Sequence, residues 1–430
     1  MYIKRYLKAM PISSLQNAVS HNTHVPKILS PKILQEPPIG GVYVHWPYCA
    51  ALCTYCDFNK YVSKDVDHTR MEKCLVAEAN FMLRTSRKLN IGSIFFGGGT
   101  PSLAHARTVE AVIQEILMNE KSSSSACEIT LEANPTSATK NRLLDFRAAG
   151  INRISLGVQS LNDIDLKLLG RDHNTAEALT IVDEAERIFP GATNVDIMIG
   201  RPGQTLATLT EELRILVGKG VSHISVYELT LKAGTPLFQA HKAGHVRMPP
   251  NEAMYDFYQC TIEVLSNAGL NQYEVSNFAK PGAACIHNKI YWACQDYLGI
   301  GPGAHGRFTN RIRNTREHRV QTRHPLSWMQ EVEAKGHGTR KREELSQDSL
   351  LEEVMMMGLR QNTGILNHTW QTLTNGISVS ETFASCPFYH VAIEKNLLIS
   401  DELGLRATQK GLVLLDSILP HLLQGCQKHI

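Results

Sequence analysis

The sequence lacks any run of about 18 apolar residues, so no segment has the length expected of a membrane-spanning helix. Cysteine is too sparse for a disulfide scaffold, since ten cysteines are spread over 430 residues, and we expect reduced thiols or metal ligands instead. Internal repeats are also missing. With 43% apolar and 20% charged residues, the composition excludes the disordered and fibrous classes and fits roughly two or three globular domains.

A strong excess of one charge sign is missing from most of the chain. The formal net charge is +3, and residues 1–40 alone contain five Lys/Arg and one acid, Glu36, so the remaining residues are close to neutral. We therefore expect no broad affinity for nucleic acids. The same segment contains four serines but no continuous apolar core. It predicts a mitochondrial transit peptide rather than a secretory signal, with a disordered basic tail as the alternative.

Short β-rich runs alternate with longer helical patterns after this segment. The predicted strands are residues 42–45, 93–96, 128–131, 153–156, 194–197 and 223–227. Apolar residues at intervals of three and four predict amphipathic helices between them. These helices include residues 68–84, 108–118, 140–149 and 206–217. The alternation predicts an α/β fold with a parallel sheet. Glycine and polar residues follow the second to fifth strands, where a barrel keeps its active site, so we expect a closed or partial (β/α) barrel over residues 41–280 rather than a doubly wound sheet.

Two further regions follow the predicted barrel. Residues 281–345 are rich in Gly, aromatic residues and Arg, and we interpret them as a connecting region. Residues 346–430 contain helical patterns followed by a hairpin within 397–407. This order predicts a small winged-helix-like C-terminal domain.

Cys49, Cys53 and Cys56 stand in C-x-x-x-C-x-x-C spacing directly after the first strand. Three thiolates this close in sequence can bind one corner of a small metal cluster. A structural zinc site closes with four ligands, whereas a [4Fe-4S] cluster held by three cysteines leaves one iron open. Zinc with His45 or Asp57 as the fourth ligand, and buried unreactive thiols, are the alternatives.

The cysteine motif has Tyr55 just before its third cysteine and is followed, after the second strand, by the glycine-rich loop 97–101. Together these features resemble the signature of radical S-adenosylmethionine enzymes. The resemblance implies a partial (β/α) barrel that binds one [4Fe-4S] cluster through the three cysteines, with S-adenosylmethionine beside it. In such enzymes the reduced cluster donates an electron that cleaves the cofactor to a deoxyadenosyl radical. The glycines would let backbone groups approach the methionyl amino end, which Cβ atoms would block.

The same resemblance implies a set of cofactor contacts at successive strand ends. Glu132 would accept hydrogen bonds from the ribose hydroxyls, and Arg171 would bind the methionyl carboxylate. A helix cap for Glu132, a solvated ion pair for Arg171 and a simple strand end for Asp196 are the alternatives. The implied contacts are Tyr43, Tyr55, Gly98, Gly99, Thr100, Glu132, Gln159, Arg171 and Asp196.

Similarity to one branch of this superfamily extends over most of residues 41–430 and includes the segments 273–279 and 299–305. The branch contains oxygen-independent coproporphyrinogen dehydrogenase and the haem chaperone HemW, and it implies a HemN-like C-terminal domain. The dehydrogenases carry a further cysteine where this chain has Phe58. The chaperones carry an H-N-x-x-Y-W motif. The matching residues in this chain are His287, Asn288, Tyr291 and Trp292.

The resemblance therefore implies a haem chaperone that binds haem and hands it to apo-haemoproteins in the mitochondrion. Imidazole is a common ligand of haem iron, and aromatic side chains suit a porphyrin face. A core histidine among packed aromatics is the alternative for His287. Because the motif lies far along the chain from the cysteines, we expect the haem site to be independent of the cluster. A coproporphyrinogen III dehydrogenase is the second function that the resemblance implies, and whether radical chemistry is performed is left open.

A third function class comes from six arginines between residues 307 and 323, among which Glu317 is the only acid. Radical enzymes that modify RNA bind it through basic surfaces. A solvated loop, or binding of the haem propionates, would explain the same arginines. Arg201 departs from the family pattern, in which an apolar residue is common. The six arginines are Arg307, Arg311, Arg313, Arg316, Arg319 and Arg323.

Overall fold

The computed structural model describes residues 39–63, 65–86, 89–119, 127–310 and 315–426. These residues form two compact units, which divide between Leu345 and Ser346. The transit peptide predicted for residues 1–40 lies outside the described residues except for Ile39 and Gly40, which already belong to the first strand. Among the described helices, none is long and apolar enough to cross a membrane.

The first unit contains, within its described residues, one large sheet and a separate pair of short strands. Its described strands are β1 (Ile39–Trp46), β2 (Tyr48–Cys49), β3 (Tyr61–Val62), β4 (Asn90–Gly98), β5 (Glu128–Ala133), β6 (Arg153–Gln159), β7 (Thr193–Ile199), β8 (His223–Glu228), β9 (Asn271–Glu274), β10 (Asn277–Ala279), β11 (Tyr297–Ile300), β12 (His305–Asn310), β13 (Thr315–Gln321) and β14 (Thr339–Glu344). Its described helices are α1 (His68–Thr85), α2 (Ala106–Met118), α3 (Lys140–Ala148), α4 (Asp163–Leu168), α5 (Thr175–Ile188), α6 (Leu206–Gly218), α7 (Pro236–Lys242), α8 (Asn251–Asn267), α9 (Ile286–Trp292) and α10 (Pro325–Lys335).

Six strands of the large sheet are parallel neighbours in the order β1, β4, β5, β6, β7 and β8. They coincide with the six predicted strands, and each extends beyond its predicted bounds. Within the described residues the sheet does not close, because β10 and β9 continue it beyond β8 and β11 continues it beyond β1. The predicted α/β class with a partial barrel is confirmed. The carboxyl ends of the six strands lie at one end of this barrel, which we call the carboxyl end, and the opposite end is the amino end.

Residues 281–345, expected to connect two domains, belong to the same large sheet. β11 pairs in parallel with β1, with Gly41 opposite Tyr297, and β12, β13 and β14 follow in antiparallel order. Without β11, this edge of β1 would leave its backbone donors and acceptors unpaired. The described strands of this region therefore extend the barrel sheet.

Side chains alternate along the parallel strands between an apolar outer face and an inner face. Val42 and Val44 on β1 and Ile94 on β4 are buried on the outer face, and burial of each such side chain stabilises the fold by about 1.5 to 3 kcal/mol. The residues between them point inward, so that the Tyr43 and Phe95 rings stack at a centroid distance of 6.3 Å. The inner face therefore carries the residues that build the site.

The second unit combines short helices with a three-stranded sheet in the order β15, β17 and β16. A helix near residue 349 and a hairpin within 397–407 agree with the sequence pattern. Its elements are α11 (Gln347–Gly358), β15 (Ile365–Leu366), α12 (Asn367–Leu373), α13 (Val379–Thr382), α14 (Pro387–Glu394), β16 (Leu398–Asp401), β17 (Gly404–Ala407), α15 (Gln409–Val413) and α16 (Leu415–Cys426).

Candidate functional site

Residues 47–60, which follow β1 at the carboxyl end of the barrel, contain all three motif cysteines, and we call this segment the cysteine loop. Its first residue, Pro47, accepts a hydrogen bond from the Tyr61 N–H at 2.8 Å, and its centre is held by the Thr54 N–H, which donates to the Leu169 carbonyl at 3.0 Å. Burial raises the pKa of the Cys49 thiol, and the neighbouring thiols Cys56 and Cys53 raise it further. Hydrogen bonds of Pro47 and Thr54 thus hold the loop that carries the three cysteines.

His45 does not supply a fourth ligand to this loop. Its Nε2 donates to the Asn59 carbonyl at 2.8 Å, and its Nδ1 therefore accepts from the Tyr43 hydroxyl at 3.1 Å. Burial lowers the pKa of His45 to about 4, so the ring is neutral. Among the described residues, no three His, Cys, Asp or Glu side chains converge on a position for a single metal ion. Both ring nitrogens of His45 are thus already hydrogen-bonded, so His45 is not free to complete a four-ligand zinc site with the cysteines.

The glycine loop after β4 packs directly on the cysteine loop. Gly98 has φ of +112°, and a Cβ on Gly99 would lie 2.8 Å from the Tyr48 carbonyl oxygen. The Gly99 N–H donates to the Trp46 carbonyl at 2.7 Å and the Thr100 N–H to the Tyr48 carbonyl at 2.9 Å. Because these N–H groups already donate within the protein, the loop has carbonyl oxygens, but not these N–H groups, available to a bound molecule. Carbonyl oxygens suit the ammonium of a methionyl group. Gly99 is thus required by the close packing of the cysteine loop.

Two carboxyl groups face each other inside the barrel at the level of the glycine loop. Glu132, at the end of β5, accepts from the Gly98 N–H at 3.1 Å. Burial, with a smaller contribution from the Asp196 carboxylate, raises the pKa of Glu132 to about 8. Burial also raises the pKa of Asp196 to about 6, against hydrogen bonds from Asn194 and Ser155 that favour its ionised form. Glu132 is therefore an inward-facing hydrogen-bonding group rather than a helix cap.

Arg171 lies against the cysteine loop and is not a solvated ion pair. Its Nη1 is 3.3 Å from the Cys53 sulfur, and its Nη2 donates to the Gly157 carbonyl at 2.6 Å and to the Asn134 side chain. A carboxylate bound by Arg171 would lie beside Cys53. Gln159 ends β6 with φ of +71°, and its Oε1 is buried without a hydrogen-bond partner in the described part of the chain. Such an orphaned buried acceptor fits a ligand that donates a hydrogen bond.

The remaining predicted contacts flank these groups. The Thr100 side chain is hydrogen-bonded to Cys49, which lowers the pKa of that thiol against the effect of burial. Tyr55 packs on an apolar cluster that includes Leu169 and Met198, so its ring forms a wall at the carboxyl end of the barrel. All the predicted cofactor contacts thus lie on the inner face or on the loops at the carboxyl end.

Sequence reasoning missed the polar lining below these contacts. Asn134 accepts from Arg171 and donates to Asp172 at 2.8 Å. The sequence pattern predicts only Glu132 of this segment as a cofactor contact. Deeper in the barrel, the missed residues share an inward position on alternate residues of the parallel strands. They are Arg153, Ser155, Asn194, His223 and Ser225. The detectable signal was the period of two within strands otherwise made of Val, Ile and Leu.

The helix α9 carries the H-N-x-x-Y-W motif and covers the amino end of the barrel. Glu128 at the start of β5 accepts from the Ile286 N–H at 2.8 Å, which holds the start of the helix. His287 is 1% exposed, and its Nδ1 is hydrogen-bonded to the Ser93 hydroxyl at 2.8 Å. Its Nε2 has no hydrogen-bond partner among the described residues. The imidazole is therefore buried but only half satisfied.

The H-N-x-x-Y-W motif, although far from the cysteines along the chain, lies against the same strands as the predicted cofactor contacts. The His287 ring lies 4.9 Å from Phe95 and 6.4 Å from Tyr43, which also contacts His45 beside the cysteine loop. Tyr291 packs edge-on against His287 at 4.5 Å. The parallel pairing of β11 with β1 brings α9, which lies just before β11 in the chain, under strands whose other ends carry the cysteine and glycine loops. The two residue sets share one barrel interior.

Several of the arginines that suggested RNA binding are structural. Arg316 is buried and lies 3.2 Å from Asp296, and Arg319 lies 3.5 Å from Glu317 and over the Phe308 ring. Arg311 and Arg313 lie outside the described residues. Arg201 is also buried, in ion pairs with Asp165 at 2.7 Å and with Glu212. Arg201 therefore connects α4 with α6 through its ion pairs. It is not among the residues that line the site with the predicted cofactor contacts.

Comparison with known proteins agrees with this architecture. The model of the Radical SAM superfamily matches residues 43–216, and that of the HemN C-terminal domain matches residues 345–414. Radical S-adenosyl methionine domain-containing protein 1, mitochondrial, from Bos taurus is 46% identical over 400 residues, which are 92% of this chain and 90% of the relative. The chain belongs to this family. The Danio rerio member is 44% identical over 94% of this chain and 91% of its own length.

The family is in turn similar to bacterial proteins named haem chaperone HemW. The Escherichia coli protein is 37% identical over 69% of this chain and 77% of its own length, and the Bacillus subtilis protein is 32% identical over 87% and 96%. The solved structure of coproporphyrinogen III oxidase HemN from Escherichia coli, described as a radical SAM enzyme, has a TM-score of 0.75 over 90% of both chains at 21% identity. That likeness confirms the fold, with the partial barrel and small C-terminal domain.

Proposed function

We propose that this protein is a mitochondrial haem chaperone that binds haem, one [4Fe-4S] cluster and S-adenosylmethionine, and hands haem to apo-haemoproteins. The relatives named haem chaperone HemW support the class, and the mitochondrial names of the family members support the compartment. The observation that carries the proposal is the buried His287 imidazole, whose Nε2 has no partner in the described part of the chain.

The cysteine loop fits the proposed cluster. Cys49, Cys53 and Cys56 would hold three of its irons, which leaves one open to the cofactor. When bound, the cluster and S-adenosylmethionine supply one-electron reductive chemistry. The protein's own contribution is to orient the ligand. Arg171 would hold the carboxylate beside Cys53, and the other contacts would be Tyr43, Tyr55, Gly98, Gly99, Thr100, Glu132, Gln159 and Asp196.

The residues around α9 have the chemistry that suits haem. The imidazole proposed as the iron ligand, His287, is however enclosed by the barrel. Burial lowers the pKa of His287 to about 3, so the imidazole stays neutral at physiological pH and its Nε2 lone pair can ligate iron. Phe95 and Tyr291 lie against the ring on two sides. Iron ligation therefore requires α9 to separate from β1 and β4. Tyr291 and Trp292 on the freed helix would then contact the porphyrin, and Asn288 would lose its bond to the barrel.

Haem titration of a His287→Ala variant tests this assignment. We expect weaker haem binding and a shifted Soret maximum, with cluster iron content unchanged. His305→Ala is the matched control, because His305 is an exposed histidine paired with His318 at 3.1 Å and lies outside the motif. An unshifted Soret band in His287→Ala together with lost binding in His305→Ala would move the ligand to the exposed pair.

The second candidate is a coproporphyrinogen III dehydrogenase, which the HemN-like fold supports. Phe58 occupies the position of the further cysteine in that signature, and its side chain is 57% exposed. Anaerobic incubation of the reconstituted protein with S-adenosylmethionine, a reductant and coproporphyrinogen III separates the candidates. Cofactor cleavage with substrate consumption would favour the enzyme, and stable haem retention without turnover would favour the chaperone.

A further inference from the structure

A chain of hydrogen bonds crosses the barrel interior from α9 to Asp196. The Asn288 Nδ2 lies 3.2 Å from the Tyr273 hydroxyl, which lies 2.8 Å from His223 Nε2. His223 Nδ1 lies 2.6 Å from Asn194 Oδ1, and Asn194 Nδ2 lies 2.7 Å from Asp196 Oδ1. Four contacts thus connect α9, at the amino end of the barrel, with the carboxyl group of Asp196, one of the predicted cofactor contacts.

The chemistry of the groups fixes the direction of every bond. Asn194 Nδ2 donates to the Asp196 carboxyl, so its Oδ1 faces His223 Nδ1, which must carry the proton. Burial holds the pKa of His223 well below its usual range, so the ring is neutral and Nε2 is an acceptor. The Tyr273 hydroxyl must then donate to His223, and its oxygen accepts from Asn288. Each side chain from Asn288 to Asn194 therefore donates a hydrogen bond to the next group towards Asp196.

The Asn194 amide cannot reverse its orientation without losing further bonds. Its Nδ2 also donates to the Ser155 hydroxyl at 2.7 Å, and its Oδ1 lies 3.1 Å from the Ser225 hydroxyl, which also lies 2.7 Å from the Asn277 Oδ1. Ser155 in turn donates to Asp196 at 3.2 Å. Buried networks of this kind are rigid when every member is paired and costly when one partner is removed. The orientation of Asp196 therefore depends on the whole chain of bonds.

We propose that Tyr273 is a positioning residue for S-adenosylmethionine. Through His223 and Asn194 it fixes the Asp196 carboxyl, and through Asn288 it makes that orientation depend on whether α9 is seated in the barrel. Haem loading, which separates α9 from the barrel, would therefore change the affinity for S-adenosylmethionine. This inference rests on the proposed function, since it takes Asp196 as a cofactor contact and α9 as the haem helix.

Removal of one hydroxyl group tests the proposal. Tyr273→Phe leaves His223 Nε2 without its donor, and we expect the dissociation constant for S-adenosylmethionine, measured by calorimetry on cluster-loaded protein, to rise roughly fivefold or more. Tyr258→Phe is the matched control, because the Tyr258 hydroxyl on α8 donates to the Val275 carbonyl at 2.8 Å, outside this chain of bonds. Equal affinities in Tyr273→Phe and Tyr258→Phe would overturn the proposal.

A second variant keeps the test decisive if Tyr273→Phe does not fold. Asn288→Asp keeps the side-chain shape but replaces the donor by an acceptor, so Tyr273 is drawn towards residue 288 and away from His223. The affinity for S-adenosylmethionine should fall here too, and an unchanged affinity would refute the positioning role.

The link to haem is measured separately. In the wild type, haem and S-adenosylmethionine should change each other's dissociation constant by the same factor, and that factor should approach one in Tyr273→Phe. A wild type that binds S-adenosylmethionine but no haem would refute the proposed function, while the affinity of Tyr273→Phe would still decide the positioning role. A wild type that binds both ligands without mutual influence would refute this inference alone.

Discussion

Replacing Gly98 by alanine would put a methyl group where the glycine loop meets His45. Gly98 has φ of +112°, and a Cβ there would lie 2.5 Å from the Cε1 atom of the His45 ring. An L-residue in a left-handed conformation costs about 1 to 2 kcal/mol. The ring cannot move away without weakening its bonds to Asn59 and Tyr43, at 2.8 and 3.1 Å. Each such bond contributes about 0.5 to 1.5 kcal/mol, so we expect the free energy of unfolding to fall by about 2 to 5 kcal/mol.

The matched control for this variant is Gly220→Ala. Gly220 has φ of +81°, but a Cβ there would have no heavy atom within 4 Å, so only the backbone term of about 1 to 2 kcal/mol applies. Urea unfolding of the cluster-free proteins measures both variants, and iron content after reconstitution reports the shape of the cysteine loop. We expect Gly98→Ala to be the less stable variant and to bind less iron. Equal destabilisation by the two substitutions, with iron binding intact, would refute the packing of the two loops described above.

Three further predictions concern the motif cysteines, the buried carboxyl groups and the N-terminal segment. Alanine at any one motif cysteine of the cysteine loop should abolish the brown chromophore and the bound iron, whereas Cys127→Ala should retain both, and full iron content in a motif variant would contradict the cluster assignment. Burial raises the pKa of Glu132 to about 8 and that of Asp196 to about 6. The stability linked to these raised values is present below the unfolded-state pKa of about 4 and is lost as pH rises through the folded-state values. The cluster-free wild type should therefore become less stable as the pH rises from about 4 to 8. Glu132→Gln should flatten that loss, most clearly above about pH 6, and parallel pH profiles would count against it. Deletion of residues 1–38 should leave a folded, cluster-competent protein that is not imported into mitochondria, and unchanged import would refute the targeting prediction.

The parallel strands and the carboxyl end of the site could be predicted from local sequence. Runs such as Ile94–Phe96 and Ile129–Leu131 are β-rich, and Gly98 and Glu132 lie at the ends of the strands that contain them. Parallel strands place such ends on one side of a sheet, so the proximity of these residues follows from the fold class alone. The cysteine spacing then restricts the metal chemistry.

The amino end of the site could not be predicted in the same way. The position of His287 depends on the parallel pairing of β11 with β1, which brings together residues more than two hundred and fifty positions apart, such as Gly41 and Tyr297. Periodicity within a strand or helix carries no information on such pairing. The ion pairs of Arg201 were missed for the same reason, because its partners Asp165 and Glu212 lie on separate helices.

Transfer of haem from the loaded protein to an apo-haemoprotein is the most direct test of the central claim. The cluster-reconstituted protein is loaded with haem, mixed with an apo-haemoprotein of distinct Soret spectrum, and followed by absorbance. Hand-over of haem by this protein requires that haem moves to the acceptor at a rate that increases with acceptor concentration, and that His287→Ala neither loads nor transfers haem normally. Haem that stays on the wild-type protein, or that reaches the acceptor equally fast from His287→Ala, would contradict it.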